Sequence, residues 1–168
     1  YVKKDSDTQR DDNIRKIAIE GTNNVLDSIS ANCKIIFPST HVIYEGFDEA
    51  RENITEETEP CPILAYSSSK VQNEKDIVNS KKNYVILRLG SVYGYTPTDT
   101  MRINIMPNLF SKIASQNGTI SLFGGGKQIK SVVPLIDVVR CMKFVAENDK
   151  ISKEIFNLVK EQVTVKEV

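Results

Sequence analysis

The chain has 168 residues, of which 40% are hydrophobic and 26% charged, as in an ordinary globular domain or part of a larger one. Lys and Arg number 22, as do Asp and Glu, and this zero formal net charge excludes a broad electrostatic attraction to nucleic acid or an anionic membrane. The three widely spaced cysteines lack metal-ligand spacing, so we expect no metal site. The apolar runs are shorter than the ~20 residues of a membrane span, and the N-terminus does not resemble a signal peptide. With so few cysteines, we therefore expect a cytoplasmic protein.

The first half of the chain opens with apolar residues at helical spacing, which predict an amphipathic helix over residues 13–31. Gly21 lies inside this helix and costs ~1 kcal/mol relative to alanine, so we expect the helix to pack closely against a neighbour there. An apolar run over residues 33–37 predicts a buried strand that ends at Ser39 and Thr40. Open parallel sheets place their sites beyond such strand ends.

An acidic loop follows over residues 45–61, and then a helix over residues 66–79. We expect that helix to bury Val71, Ile77 and Val78. Residues 84–89 predict a second buried strand, which ends in a small-residue loop over residues 90–94. Strand, helix and strand in this order predict a β-α-β unit and a parallel sheet.

The second half of the chain predicts shorter elements separated by turns. The first is a helix that starts near Pro107 and ends at 115, followed by a turn at Asn117 and Gly118 and a strand over 119–123. A glycine turn over 124–126 and an extended segment over 129–135 come next. A helix capped by Asp137 that ends near Asn148 and a strand over 155–159 complete the series. Thr164 and Glu167 have capping-box spacing, which announces one more helix. A nucleotide site in a parallel sheet needs strands before Ile14, so we expect this sequence to be a fragment of a longer protein.

Tyr66 and Lys70 are the candidate chemical groups, because a helix places them one turn apart on one face. The lysine ammonium would stabilise the tyrosine phenolate and make it a general acid/base. The Thr40 hydroxyl, or that of Ser39, could hold a substrate alcohol, and hydride chemistry would need a nicotinamide. The alternative is a surface pair without function.

Further residues carry open alternatives. His41, the only histidine, lies either in a substrate cleft or as a packed loop residue. Arg88 is either a structural ion-pair partner or a site residue, and Lys130 with Gln128 could meet a substrate phosphate. We expect the thiols to be buried and inert: Cys33, Cys61 and Cys141.

Five segments in order resemble the extended short-chain dehydrogenase/reductase family, in its NAD-dependent sugar-nucleotide epimerase/dehydratase branch. They are the Gly-Thr-x-Asn helix motif within residues 20–26, the strand-end segment 38–44, Tyr66 with Lys70, a segment like Arg-x-x-Asn-Val-Tyr-Gly-Pro at 88–95, and a glycine turn at 123–128 with Asp137 and Val138 after it. The resemblance implies the C-terminal part of a Rossmann-like doubly wound parallel α/β sheet over residues 1–95, followed by a small, mainly substrate-binding α/β portion over 96–168.

The resemblance also implies roles for individual residues. The catalytic set is Thr40, Tyr66 and Lys70. The residues bordering the cofactor, NAD or NADP, are Ser39, Tyr66, Lys70, Gly90 and Val92. The residues touching a nucleotide-sugar substrate are Thr40, Ser91, Gln128 and Lys130. A homodimer would form through the helices at residues 13–31 and 66–79.

The chain departs from the family pattern in several places. The glycine-rich dinucleotide fingerprint is absent, and residues 124–126 do not replace it. Lys130 stands where the family has an Arg that contacts the diphosphate, which changes a bidentate fork into a point charge. Other family positions differ at Ala18, Ser91 and Tyr95. The dehydratase branch has Asp-Glu after its catalytic Thr, where this chain has His41 and Val42, so an epimerase is favoured over a dehydratase. The rival hypothesis is a non-catalytic nucleotide- or partner-binding protein on the same fold.

Overall fold

The computed structural model describes residues 8–49, 51–96 and 101–168. These residues form two compact units. Unit 1 contains the described residues up to Arg88 together with Asp149–Phe156, and unit 2 contains Leu89–Asn148 and Asn157–Val168. In the part of the chain that is described, no helix is both long and apolar enough to cross a membrane.

The first part of the chain alternates helices and strands as its hydrophobic pattern predicts. Its elements are α1 (Thr8–Ser28), β1 (Lys34–Thr40), a 3-10 helix (His41–Tyr44), α2 (Ala65–Asn79) and β2 (Asn83–Leu89). Near the end of the chain, β5 (Glu154–Leu158) joins the same sheet, whose strand order is β1-β2-β5. Adjacent β1 and β2 are connected through α2, which is the β-α-β arrangement expected from the sequence.

The core of unit 1 lies between the helices and the sheet. Its buried cluster consists of Leu26, Ile77, Tyr84 and Ile86. Along β2, the side chains of Val85, Ile86 and Leu87 are all 0% exposed. Because consecutive strand residues point to opposite faces, β2 is covered on both faces, which explains its continuous apolar sequence.

Strand β1 ends at Ser39 and Thr40, as expected from the sequence. Two other expectations for unit 1 are wrong. Val78 is 39% exposed, and the buried face of α2 is largely polar, since it includes Ser67, Ser69, Asn73 and Glu74. Apart from its chain neighbours and the backbone of its own helix, no heavy atom of the described residues lies within 4 Å of the Cβ that an alanine would place at Gly21. This glycine therefore faces open space and is not closely packed.

Unit 2 contains a second three-stranded sheet, of order β3-β4-β6. Its elements are β3 (Ser91–Tyr93), α3 (Met106–Ser115), a 3-10 turn (Phe123–Gly126), β4 (Ile129–Pro134), α4 (Leu135–Glu147) and β6 (Glu161–Thr164). Strands β3 and β4 are parallel, with Ser91 opposite Val132. Strands β4 and β6 are antiparallel, with Ile129 opposite Thr164. The predicted α/β class with parallel strand pairing is confirmed.

Four predictions for unit 2 need correction. Residues 119–122 are irregular and not a strand, because they join no sheet ladder of the described chain. Conversely, residues 91–93, predicted as loop, form β3 by pairing with β4. Helix α4 begins at Leu135, with Pro134 as its N-cap, so Asp137 lies within its first turn. The Glu167 carboxylate does accept from the Thr164 backbone N–H at 2.7 Å, but residues 165–167 form a turn.

The cysteines differ from the expected buried set. Cys33 is exposed, whereas Cys61 and Cys141 are partly buried, and all three thiols are free. Burial raises the pKa of the Cys141 thiol. The expectation of burial is therefore wrong for Cys33, which lies between α1 and β1 with its Sγ 3.4 Å from the Ser30 hydroxyl oxygen.

Candidate active site

The end of β1 presents two buried hydroxyls, with Ser39 4% and Thr40 7% exposed. The Thr40 Oγ accepts from the Val42 backbone N–H at 3.2 Å and so caps the 3-10 helix. A hydroxyl that accepts one bond keeps its own O–H for donation. Thr40 is therefore held in a defined place and can still donate to another oxygen.

Tyr66 and Lys70 lie on the first turns of α2, one turn apart as predicted. The Lys70 ammonium donates to the Pro38 carbonyl at 2.8 Å, lies 4.5 Å from the Phe37 ring centroid and lies 6.0 Å from the Tyr66 ring centroid. Burial lowers the pKa of Lys70, while the negative charge of Glu74 opposes that shift. The cation is thus fixed beside the tyrosine, at the strand end that bears Thr40.

A cleft of about 460 Å³ opens next to this pair, between α1, β1 and α2. Its wall is mostly apolar, and its polar lining comes from Thr22, Tyr66, Ser69, Lys70 and Asn73. Tyr66 is 46% exposed, whereas Asn73 is 3% exposed. Within the described residues the buried Asn73 Oδ1 atom has no hydrogen-bond partner.

One helical turn after Lys70, a buried ion pair joins α2 to β2. The Arg88 Nη2 atom lies 2.8 Å from the Glu74 Oε2 atom, and the side chains are only 5% and 6% exposed. Glu74 also accepts from the Ser39 hydroxyl, and Arg88 donates to the Tyr44 hydroxyl at 2.6 Å and the Glu56 carbonyl at 2.8 Å. Burial works to lower the pKa of Arg88, but the bond to Glu74 and its charge outweigh that effect, and the net shift is upward.

Of the two hypotheses for Arg88, the structure supports the structural one, because its guanidinium forms a buried ion pair with Glu74. Glu74 was not singled out in the sequence, although one signal for it exists. It follows Lys70 by four residues, as Lys70 follows Tyr66, so a helix places all three on one face. Burial also raises the pKa of Tyr44, against the opposing charge of Arg88.

Five of the other predicted site residues belong to unit 2. Gly90 donates its N–H to the Leu158 carbonyl at 3.0 Å, and a Cβ added there would lie 3.0 Å from the Ser131 carbonyl oxygen. Ser91 and Val92 are in β3, where they pair with β4. A side chain at position 90 is therefore disfavoured by packing alone.

Gln128 and Lys130 follow the glycine turn. Gln128 donates through Nε2 to the Phe123 carbonyl at 2.8 Å and so closes the turn, in which Gly124, Gly125 and Gly126 all have positive φ. Lys130 is exposed on β4. The predicted contacts of Gln128 and Lys130 with a substrate stay predictions.

A second cleft, of about 730 Å³, lies within unit 2 beside α3. Its polar lining includes Tyr93, Asn108, Ser111, Lys112 and Glu161. Asn108 is held by the Gly94 N–H, which donates to its Oδ1 at 3.2 Å, and by its own Nδ2, which donates to the Arg102 carbonyl at 3.1 Å. In the described ranges, no cluster of three His, Cys, Asp or Glu side chains could hold a metal ion.

These observations define an α/β protein in which Tyr66 and Lys70 lie beside the end of β1, and comparison with known families shows which family it belongs to. The sequence model of the NAD dependent epimerase/dehydratase family matches residues 3–158. The chain belongs to this family, which confirms the resemblance found in its sequence. No curated protein matches the chain at a significant level.

Solved structures share this fold. UDP-glucose 4-epimerase from Thermotoga maritima, solved with UDP-glucose, superposes with a TM-score of 0.80 at 22% identity, covering 99% of this chain and 56% of that one. UDP-glucuronic acid 4-epimerase from Bacillus cereus, solved with UDP-glucuronic acid and NAD, gives 0.74 at 25% identity, covering 89% and 48%.

A dehydratase is similar to the same degree. The dTDP-glucose 4,6-dehydratase from Bacillus anthracis, solved with NAD, gives a TM-score of 0.78 at 20% identity, covering 91% of this chain and 50% of that one. The chain thus spans about half the length of the solved structures that it matches. At these identities the likeness to the first and third structures shows the fold and does not separate epimerase from dehydratase.

Proposed function

We propose that the protein is an NAD-dependent epimerase of a nucleotide sugar, with Tyr66 as its acid/base group. The observation that carries this proposal is the Lys70 ammonium, held by the Pro38 carbonyl at 2.8 Å and 6.0 Å from the Tyr66 ring centroid. It lies at the strand end that also bears Thr40. A cation in this place would stabilise negative charge that develops on the Tyr66 oxygen during proton transfer.

The residues divide the proton chemistry between them. The Thr40 hydroxyl orients a sugar hydroxyl, and the Tyr66 phenolate takes its proton as the alcohol becomes a ketone. After the keto sugar has rotated in the site so that its other face is presented, Tyr66 returns the proton to the new hydroxyl. The Lys70 ammonium balances negative charge on the Tyr66 oxygen.

NAD fits the donor set next to Tyr66. The Lys70 ammonium has three N–H bonds, and the Pro38 carbonyl accepts one of them. The others can donate to the hydroxyls of a ribose in the neighbouring cleft, with Ser39, Gly90 and Val92 as further predicted cofactor contacts. When bound, NAD accepts a hydride from the sugar carbon and gives it back. The family is described as NAD dependent.

We favour epimerisation because the chain lacks the acid/base pair that dehydration needs. His41 and Val42 open the 3-10 helix at the positions where the dehydratase branch has Asp and Glu. Without these carboxyl groups, water cannot readily be eliminated from the keto sugar. The UDP sugars bound by the similar epimerases suggest the substrate class, with Ser91, Gln128 and Lys130 as predicted contacts.

Exposed apolar residues support a homodimer through α1 and α2. Ile17 is 74% exposed and Val25 54% on α1, where both also line the cleft beside Tyr66, and Val78 is 39% exposed on α2. Burying these side chains against a second copy would remove them from water. The dimer rests on the same family resemblance as the activity.

The first test is NAD(H) binding and turnover of UDP and GDP sugars by the full-length native protein, with a Tyr66→Phe variant. We expect the variant to bind NAD(H) and lose turnover, because only the phenol oxygen is removed. Tyr95→Phe, at an 82% exposed tyrosine, is the matched control and should keep its turnover. Absence of NAD(H) binding by the native protein would favour the rival reading, a non-catalytic binding protein on this fold.

A further inference from the structure

Glu45 connects two segments of unit 1 that lie far apart in sequence. Its Oε1 atom accepts from the backbone N–H groups of Ile63 at 3.1 Å and Leu64 at 2.8 Å, and from the Ser67 hydroxyl. Leu64 is the N-cap residue of α2. A carboxylate at a helix N-terminus is favoured by the helix dipole and makes strong, charge-assisted hydrogen bonds. Glu45 therefore caps α2 from outside the helix.

The same residue ends the 3-10 helix that begins next to Thr40. Thr40 caps its first turn by accepting from the Val42 N–H, and the Glu45 N–H donates to the Val42 carbonyl at 3.1 Å. One short, hydrogen-bonded element thus runs from Thr40 to Glu45. The side chain of Glu45 extends this connection to the start of α2, directly before Tyr66.

Backbone contacts support the connection. The Gly46 N–H donates to the Cys61 carbonyl at 2.8 Å, and the Cys61 N–H donates to the Ile43 carbonyl at 2.8 Å. A Cβ at Gly46 would lie only 2.4 Å from the Cys61 carbonyl oxygen. The two loop segments therefore approach so closely at this point that only a glycine fits. The segment after Thr40 and the segment before Tyr66 are held together along several residues.

We propose that Glu45 is a positioning residue, which sets the place of Tyr66 relative to Thr40 by fixing the start of α2. This proposal rests on the proposed function of Tyr66 and Thr40. Glu45 touches neither reacting group, and it acts through Leu64 and Ser67, which flank Tyr66 in the sequence. The proton transfer needs the two hydroxyls on one substrate oxygen, and a displacement of about 1 Å can cost ~10²-fold in rate.

The experiment compares Glu45→Ala and Glu45→Gln in the full-length native protein. Glu45→Gln keeps an amide oxygen that can accept from the two backbone N–H groups, whereas Glu45→Ala removes every side-chain acceptor. Glu57→Ala changes an exposed glutamate of the same loop and is the matched control. Steady-state kinetics give kcat and KM, and amide hydrogen exchange reports on the peptide over residues 61–70.

We expect Glu45→Ala to lower kcat by about 10- to 100-fold with little change in KM, and to speed amide exchange in residues 63–67. Glu45→Gln should restore most of kcat and of the protection, and Glu57→Ala should resemble the native protein. A native kcat in Glu45→Ala, or unchanged exchange over residues 63–67, would overturn the proposal. If the native protein converts no sugar, the proposed function fails, and the exchange measurement still decides whether Glu45 fixes the helix start.

Discussion

The Arg88 guanidinium and the Glu74 carboxylate meet in the interior of unit 1, with Nη2 2.8 Å from Oε2. Glu74 lies one turn after Lys70 on α2 and also accepts from Ser39, the neighbour of Thr40. Arg88 lies near the end of β2 and donates to Tyr44 at the end of the 3-10 helix. One buried pair therefore ties together the elements that carry the three proposed catalytic residues.

Removing one partner of this pair is expected to destabilise the protein strongly. Glu74→Ala leaves the Arg88 charge buried without compensation, which costs about 3–5 kcal/mol in the free energy of unfolding. Urea denaturation measures the change. Lys143→Ala, which breaks a pair with Glu147 at the exposed surface, is the control and should cost less than ~1 kcal/mol. Equal, small losses in both variants would show that the buried pair does not stabilise the fold.

The pH dependence of turnover is expected to depend on Lys70. Because burial lowers the pKa of Lys70 and the ammonium form supports the Tyr66 phenolate, kcat should fall as pH rises through this lowered pKa. Lys70→Arg keeps a cation at every accessible pH, so its alkaline fall should disappear, although its overall rate drops because the guanidinium has a different shape. Measurement of kcat from neutral to alkaline pH checks this. An alkaline limb that is unchanged in the arginine variant would assign it to another group.

Two glycines are expected to respond to alanine with opposite signs. Gly46→Ala places a Cβ 2.4 Å from the Cys61 carbonyl oxygen and should destabilise by about 1–3 kcal/mol. Gly21→Ala adds its methyl in open space on a helix and should stabilise by about 0.5–1 kcal/mol. Thermal or urea unfolding measures both. A destabilised Gly21→Ala protein would contradict this prediction.

The cysteines are expected to differ in reactivity. Cys33 is exposed, whereas burial raises the pKa of Cys141, which lowers its thiolate fraction. Iodoacetamide at mildly alkaline pH should therefore alkylate Cys33 first, as followed by peptide mass spectrometry. Turnover should persist after this first modification, because Cys33 does not line the cleft beside Tyr66. Faster labelling of Cys141 would contradict the structure.

Several features were determined by the sequence alone, because they depend on neighbours along the chain. Apolar spacing located α2 and β2 to within one residue at each end and α1 to within five, since α1 begins at Thr8 and not at Asn13. Helix geometry placed Tyr66 and Lys70 one turn apart. The ordered motifs identified the family, which the match over residues 3–158 confirms. The division into catalytic and substrate-binding portions after residue 95 stays a prediction about function.

Tertiary structure decided the features that join residues distant in sequence. Glu74 meets Arg88 across 14 residues, and Glu45 meets Leu64 across 19, and neither pairing leaves a periodic pattern. The same limit explains the polar buried face of α2, whose Ser67 and Glu74 are satisfied by partners outside the helix. Residues 91–93 form strand β3 because they pair with β4, whereas residues 119–122, predicted to be a strand, have no pairing partner in the described part of the chain and form none. An extended segment becomes a strand only when another strand pairs with it. Local preference thus determined the helices and the Tyr-Lys pair, while long-range pairing decided how they are held.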